Sequence, residues 1–122
     1  MANILILEAD ARMGRQMQDL LTRAGHVCHL TQTVAQAEAY LTDDTRMLTI
    51  MNARLPWADS HPFLNKLSQK GWPVLFVTGE DGNREHLMAL YAGPSQVVVR
   101  PFGSRQLAKV AQRWRPRKVV KK

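Results

Sequence analysis

Several features that define common protein classes are scarce in this chain of 122 residues. It has one cysteine, Cys28, so an intramolecular disulfide is excluded. No apolar run approaches the roughly 20 residues that span a bilayer. The apolar start, 1–7, is interrupted by Glu8 and Asp10 and has no basic flank, so it does not have the pattern of a signal peptide. These absences predict a soluble cytoplasmic protein with no membrane segment.

Acidic residues are missing from the last stretch of the chain, 113–122, which holds six basic residues. The whole chain has a net charge of +7, and without that tail eleven basic residues face ten acidic ones, a net charge of +1. The body is therefore nearly neutral, which argues against the body itself binding nucleic acid. The tail could contact phosphates weakly, or it is a solvated end or the start of a linker.

Motifs that carry catalysis or bind metals are also scarce. The four histidines show no triad spacing with serines, and there is no nucleophile elbow or phosphate-binding glycine loop. Cys28 with His26 and His29 matches no common zinc pattern and would alternate along a strand. We interpret Cys28 as a core thiol, and we expect neither a metal nor a cofactor.

What the chain does contain is a regular alternation of short apolar runs and amphipathic segments. The apolar runs predict strands at 3–7, 26–30, 47–51, 74–77 and 97–99. The amphipathic segments predict helices at 13–24, 33–41, 63–71, 84–92 and 104–114, with 52–61 as a loop that contains Pro56 and is followed by Pro62. Five successive β-α units predict a five-stranded parallel sheet with helices on both faces.

Ligand sites in such folds lie at the carboxyl ends of the strands. The segments there, in chain order, are ILILEAD at 4–10, NARLP at 52–56, VLFVTG at 74–79, AG at 92–93 and VRPF at 99–102. Together they resemble the receiver domain of bacterial two-component response regulators, over residues 2 to about 114. The resemblance implies a flavodoxin-like, three-layer (βα)5 fold with strand order 2-1-3-4-5.

The resemblance also implies a reaction. A phosphoryl group passes to an aspartate after the third strand, acids after the first strand hold Mg²⁺, and a hydroxyl and a lysine contact the phosphoryl oxygens. This sequence departs from that pattern at three positions. Asn52 stands at the phosphoacceptor position, Ala9 at the second acidic position, and Arg100 at the lysine position. Glu8 and Thr78 match the family, Asp10 lies one residue beyond the usual acidic pair, and Val97 replaces the aromatic switch.

These departures predict that the domain is not an enzyme and is not phosphorylated. Asn52 and Ala9 remove two negative charges, so Glu8 and Arg100 could balance each other without a metal. We hypothesise that Arg100 pairs with Glu8 or hydrogen-bonds the Asn52 carboxamide; alternatively, it is a solvated surface cation.

Three functions remain open at this point. The first is a phosphorylation-independent receiver at 1–114 that dimerises or docks a partner, with 115–122 as a basic tail or a linker to a DNA-binding output domain. The second is a stand-alone adaptor that binds a kinase or another protein. The third is an active phosphoacceptor domain that uses another carboxylate, such as Asp10 or Asp59.

The resemblance suggests a homodimer face formed by helix 4, strand 5 and helix 5. That face would include Leu87, Tyr91, Gln106, Lys109 and Arg113. Trp57, in the loop beside the degenerate site, is a candidate contact residue or a lid over the pocket. We expect Trp72 to pack in the core, and Trp114 to cover the sheet edge or to join a dimer face.

Overall fold

A computed structural model describes residues 3–42, 46–52, 57–78, 91, 94–99, 106–107 and 109. At residues 42, 57–60 and 99 it describes the backbone but not the side chain. Along the chain the strands and helices are β1 (Asn3–Leu7), α1 (Ala11–Arg23), β2 (Val27–Thr31), α2 (Val34–Glu38), β3 (Leu48–Asn52), α3 (Trp57–Lys70), β4 (Val74–Thr78) and β5 (Ser95–Val99). A 3₁₀ turn, Ala39–Thr42, follows α2 directly. The predicted helices at 84–92 and 104–114 lie largely outside the described residues.

The five strands form one parallel sheet in the order β2-β1-β3-β4-β5. This confirms both the parallel sheet and the strand order that the family resemblance implied. The predicted strand positions are right to within one or two residues. The register pairs Leu7 with Met51 and Asn52 with Val77, so the carboxyl ends of β1, β3 and β4 lie side by side.

Two buried clusters cover the two faces of the sheet, because successive strand residues point to opposite sides. On one face, Ile4 and Ile6 pack with Met17 and Leu21 of α1 and with Leu107. On the other face, the strand residues pack with side chains of α2, of the 3₁₀ turn and of α3, among them Leu5, Leu7, Met51, Phe76, Ala37, Leu41, Phe63 and Leu67. Helices α1 and α2 therefore lie on opposite faces. Trp72 is buried in the second of these clusters, as predicted.

The ends of α1 follow from local chemistry. Asp10 is the N-cap, and its carboxylate accepts hydrogen bonds from the backbone N–H groups of Arg12 and Met13. Gly25 follows the helix with a φ of 94°, a left-handed value that glycine adopts without strain. Inside the helix, a Cβ on Gly14 would lie 2.6 Å from Leu30 Cδ1, so glycine at this position lets α1 approach β2 closely.

The start of α3 corrects the sequence-based expectation. We expected a loop through 52–61 and a helix from Phe63, but the helix begins at Trp57 and contains Pro62. Proline has no N–H to donate to the carbonyl of Ala58, one turn earlier, and its ring crowds that turn. The helix forms in spite of this, because Phe63, Leu64 and Leu67 are buried beneath it. Tertiary packing therefore overrides the local signal of the proline.

One buried hydroxyl in β3 is unsatisfied. Thr49 is fully buried, and its Oγ1 has no hydrogen-bond partner among the described residues. A buried hydroxyl without a partner costs about 1–3 kcal/mol. We expect Thr49→Val, which keeps the shape and removes the hydroxyl, to raise the free energy of unfolding by about 1 kcal/mol in urea denaturation. Thr31→Val is the matched control, because the Thr31 hydroxyl donates to the Ile6 carbonyl at 2.7 Å, and this variant should be destabilised.

The turn between α1 and β2 contains a buried histidine. Burial lowers the pKa of His26 below its ordinary value of 6.5, because the charged imidazolium is disfavoured there. The unfolded chain therefore takes up a proton at this residue before the folded chain does. Stability should fall as the pH drops below 6.5, and this part of the fall should end at the lower folded pKa. Denaturation midpoints of the wild type and His26→Gln between pH 7.5 and 5 test this. A wild-type profile that matches the variant's would contradict it.

Cys28 on β2 is half-buried and packs against the cluster that contains Ile4 and Met17. Burial raises the pKa of its thiol, and a hydrogen bond with Thr22 acts in the opposite direction to a smaller extent. The thiol is thus held in its neutral form, in keeping with its interpretation as a core residue. Among the described residues, no helix is long and apolar enough to cross a membrane.

Candidate degenerate phosphorylation site

Glu8 lies at the carboxyl end of β1, at the centre of the predicted site. Its side chain is buried, with 1% of its surface exposed. Its backbone N–H donates to the Thr31 carbonyl at 3.0 Å, which holds the end of β1 against β2. A carboxylate removed from water in this way requires hydrogen-bond donors to offset the loss of solvation.

Asn52 supplies the principal donor. Its Nδ2 lies 2.9 Å from Glu8 Oε1 and 3.2 Å from Glu8 Oε2, so the carboxamide faces both carboxylate oxygens. The backbone N–H of Asp10 adds a longer contact, 3.3 Å from Glu8 Oε2. A hydrogen bond to an ionised acceptor is stronger than one between neutral groups. Asn52, which the family resemblance puts at the phosphoacceptor position, is therefore a hydrogen-bond donor to the neighbouring carboxylate.

The two residues after Glu8 do not contribute carboxylates to the pocket. Ala9 has no ligand atom in its side chain, and its carbonyl accepts a 3.4 Å hydrogen bond from Gln32 Nε2. Asp10 is exposed, and its carboxylate caps α1 at 3.0 Å from the Arg12 N–H and 3.3 Å from the Met13 N–H. Sequence reasoning placed Asp10 near the site but missed this cap, although an aspartate directly before a helix is a common N-cap signal.

Thr78 and Val97 lie on the neighbouring strands β4 and β5. Thr78 is the last residue of β4 and is buried, one residue beyond the partner of Asn52 in the sheet register. Val97 is buried in β5 and belongs to the core on the α2 and α3 face. Glu8, Asn52 and Thr78 are thus gathered at one edge of the sheet, whereas Arg100 and the side chain of Trp57 lie outside the described residues.

Mg²⁺, which the family resemblance implies, does not fit the described donor set. Mg²⁺ takes near-octahedral oxygen ligands and is held by carboxylates. Here one carboxylate faces the pocket, and both of its oxygens accept from the Asn52 carboxamide. Within the described part of the chain, no group of three or more His, Cys, Asp or Glu residues could hold a metal ion.

The structure corrects one residue of the predicted dimer face, Tyr91. Tyr91 has 4% of its surface exposed and packs in the core, and its hydroxyl donates to the Trp72 carbonyl. Burial raises the pKa of Tyr91 to about 12. Tyr91 is therefore a core residue and was wrongly assigned to a contact surface. Gln106 and Lys109 are exposed, and Leu87 and Arg113 lie outside the described residues, as does Trp114.

Comparison with known proteins gives the family. The profile of the response regulator receiver domain matches residues 4–112, which is most of the chain. The chain belongs to the response regulator receiver domain family. Its five-stranded parallel sheet of order β2-β1-β3-β4-β5 is that of a receiver domain.

Among curated proteins, this receiver domain is similar to transcriptional regulators. It is 28% identical over 109 residues to the transcriptional regulatory protein PcoR of Escherichia coli, covering 88% of this chain and 48% of that protein. It is 30% identical over 109 residues to the transcriptional regulatory protein BasR of Escherichia coli strain K12, covering 85% and 48%. The chain thus spans about half the length of these relatives.

Solved structures show the same fold. A CheY-like receiver domain protein from Methanospirillum hungatei superposes with a TM-score of 0.76 at 20% identity, covering 93% of this chain and 92% of that one. The receiver domain of sensor histidine kinase PA1611 from Pseudomonas aeruginosa gives 0.74 at 22% identity, covering 93% and 96%. That receiver was solved with a magnesium ion coordinated in its active-site cleft.

Proposed function

We propose that this chain is a receiver domain that signals without phosphorylation and acts through protein contacts. The observation that carries the proposal is the hydrogen bonding of the Asn52 carboxamide to both oxygens of the buried Glu8 carboxylate, at 2.9 and 3.2 Å. In a receiver that accepts a phosphoryl group, a carboxylate oxygen is the nucleophile and a metal offsets the charge. Here the position holds an amide whose nitrogen is engaged as a donor.

The charges of the described residues support the same proposal. Glu8 brings one buried negative charge, and Ala9 and Asn52 bring none. The carboxamide offsets the desolvation of Glu8 through hydrogen bonds, so the folded pocket does not depend on a divalent cation. The pairing of Arg100 with Glu8 or Asn52 remains part of the proposal, since Arg100 lies outside the described residues.

An alternative phosphoacceptor at Asp10 is not supported by the geometry. Its carboxylate accepts from two backbone N–H groups at the start of α1, and these donors reduce its nucleophilicity. Asp59, the other carboxylate considered, belongs to α3, and its side chain lies outside the described residues.

By its relatives, the domain is proposed to be the regulatory part of a cytoplasmic DNA-binding transcriptional regulator. Its output would depend on dimerisation or partner docking, through a face that includes the exposed Gln106 and Lys109. Direct DNA contact by this chain would be limited to the basic tail.

The test is incubation with acetyl phosphate and Mg²⁺, followed by intact mass spectrometry. We expect no mass increase from a phosphoryl group in the wild type, and none in Asn52→Asp, because Ala9 still lacks the second acid. A conventional receiver domain with its aspartate intact serves as the positive control for the reagent. A phosphorylated wild-type species would refute the proposal, and peptide mapping would then show which residue carries the group.

A further inference from the structure

A groove lies at the edge of the sheet, outside the degenerate site. It has a volume of about 650 Å³ and runs between α1 and α2 around the carboxyl half of β2. One wall consists of Ala11, Arg15 and Gln18 of α1, and the floor consists of Leu30, Thr31 and Gln32. The other wall consists of Gln36 of α2 and of Ala39 and Tyr40 of the 3₁₀ turn. Because α1 and α2 cover opposite faces of the sheet, this groove opens directly onto the outer edge of β2.

The outer edge of β2 carries unpaired backbone groups. β2 is the terminal strand and pairs with β1 alone among the described strands. The Thr31 carbonyl accepts from the Glu8 N–H, so the backbone groups of Thr31 face β1. In a parallel ladder the direction alternates from residue to residue, which turns the N–H and C=O groups of Leu30 and Cys28 outward. Such an edge is a template for another strand.

The side chains around this edge favour a strand with an acidic residue. Arg15 is the one charged residue in the lining, it is exposed, and it forms no ion pair with any described residue. On the opposite wall, Tyr40 is half-buried, with its ring 4.9 Å from the ring of His29. Successive residues of an added strand point to opposite faces, so an acid facing Arg15 would have apolar neighbours facing Tyr40.

A second copy of this chain does not fit these requirements through the same edge. The segment 26–33 around β2 contains no acidic residue, so a symmetric β2–β2 pair brings no carboxylate to either Arg15. The charge of the groove therefore favours a different chain over self-association.

We propose that the β2 edge is a docking site for an extended segment of a partner protein, in which an acidic residue is flanked by apolar ones. The segment adds a sixth strand beside β2, its backbone bonds with Leu30 and Cys28, and its carboxylate pairs with Arg15. This inference goes beyond the proposed function, because it would stand even if the degenerate site were phosphorylated.

The probe is an acetylated and amidated peptide of sequence Thr-Val-Glu-Val-Thr, titrated into the ¹⁵N-labelled full chain. Shift changes in the protein spectrum are expected to concentrate at the backbone amides of Cys28 and Leu30 and at the Arg15 side chain. The same peptide with Lys in place of Glu should bind about tenfold more weakly, which corresponds to about 1.4 kcal/mol. Two further peptides carry an N-methyl group, one at the glutamate and one at the second valine. One of the two should lose binding, because only one of these adjacent N–H groups can face β2.

Arg15→Glu is the decisive variant, because Arg15 is exposed and its replacement should leave the fold intact. It should reverse the preference, so that the Lys peptide binds more tightly than the Glu peptide. Arg23→Glu, a change of the same charge at the far end of α1, is the matched control and should leave the preference unchanged. The proposal is overturned if the Glu and Lys peptides bind equally, if neither shifts the β2 amides, if both N-methyl peptides bind as the parent does, or if these amides shift with protein concentration alone.

Discussion

Replacing Asn52 by aspartate, the residue that a conventional receiver carries, is expected to destabilise this protein by about 3 kcal/mol at neutral pH. The Asn52 amide donates to both oxygens of Glu8, and Glu8 is 1% exposed. Loss of a hydrogen bond to a charged group costs about 1.5–3 kcal/mol. The variant also brings two carboxylates into contact at a site with little solvent, and that repulsion adds to the loss.

The destabilisation of Asn52→Asp should have a recognisable dependence on conditions. As the pH falls, one carboxylate takes up a proton, the repulsion disappears, and the difference from the wild type narrows. Millimolar Mg²⁺ should also recover part of the stability, since a divalent cation offsets paired carboxylates. Urea denaturation at pH 7.5 and pH 5, with and without Mg²⁺, measures both effects.

Asn52→Leu is the matched control for these experiments. It removes the donor without adding a charge, so it should destabilise the fold while showing no recovery with Mg²⁺. If Asn52→Asp were as stable as the wild type at neutral pH, the carboxamide-carboxylate contact would contribute nothing, and the account of the site would be wrong.

The second large effect is expected in α3, where substitutions at two adjacent residues should change the free energy of unfolding in opposite directions. Phe63 is fully buried in the core between α3 and the sheet, so Phe63→Ala should lower the free energy of unfolding by about 3–5 kcal/mol. Pro62 is exposed and lies inside the same helix. Pro62→Ala restores a backbone donor and removes the ring, and should stabilise the protein by about 2 kcal/mol, after allowance for the greater freedom of the unfolded chain.

Thermal or urea denaturation of the two single variants and the double variant tests this pair. The free energy of unfolding of the double variant should lie between those of the two single variants and below that of the wild type. The stability lost with the Phe63 side chain exceeds the stability gained by replacing Pro62. If Pro62→Ala did not stabilise the protein, α3 would begin after residue 62, as the sequence alone suggested. A small effect of Phe63→Ala would contradict the packing of α3 against the sheet.

The parallel sheet and its order could be predicted because each signal was local or came from five ordered motifs. The run 3–7 is apolar throughout, as a strand buried on both faces requires, and Glu8 marks its end. Gly25 marked the end of α1, because a left-handed backbone commonly ends a helix and glycine adopts it without strain. The start of α3 could not be predicted, because the burial of Phe63 and Leu67 outweighs the proline, and burial depends on the whole fold.

The sequence predicted which residues gather at the candidate site, but not which of their side chains form hydrogen bonds with each other. The sequence indicated that Glu8, Asn52 and Thr78 lie at one sheet edge and predicted that the domain is not phosphorylated. It proposed that Arg100 pairs with Glu8 or hydrogen-bonds the Asn52 carboxamide, which stays a prediction, and it did not foresee the hydrogen bonds from Asn52 to Glu8. Pairing between side chains at neighbouring strand ends depends on register and rotamer, which the sequence does not encode locally. Tyr91 shows the same limit, since the family resemblance placed it on a contact face and the fold buries it.

The most direct measurement of the central claim is a Mg²⁺ titration followed through the NMR signals of the Asn52 side-chain amide and the Glu8 backbone amide. If the carboxamide replaces the cation at Glu8, millimolar Mg²⁺ should leave both signals of the wild type unchanged, whereas in Asn52→Asp the Glu8 amide should shift and saturate. A saturable shift of the Glu8 and Asn52 signals in the wild type would show that the site binds the metal that receiver chemistry needs, and would contradict the account.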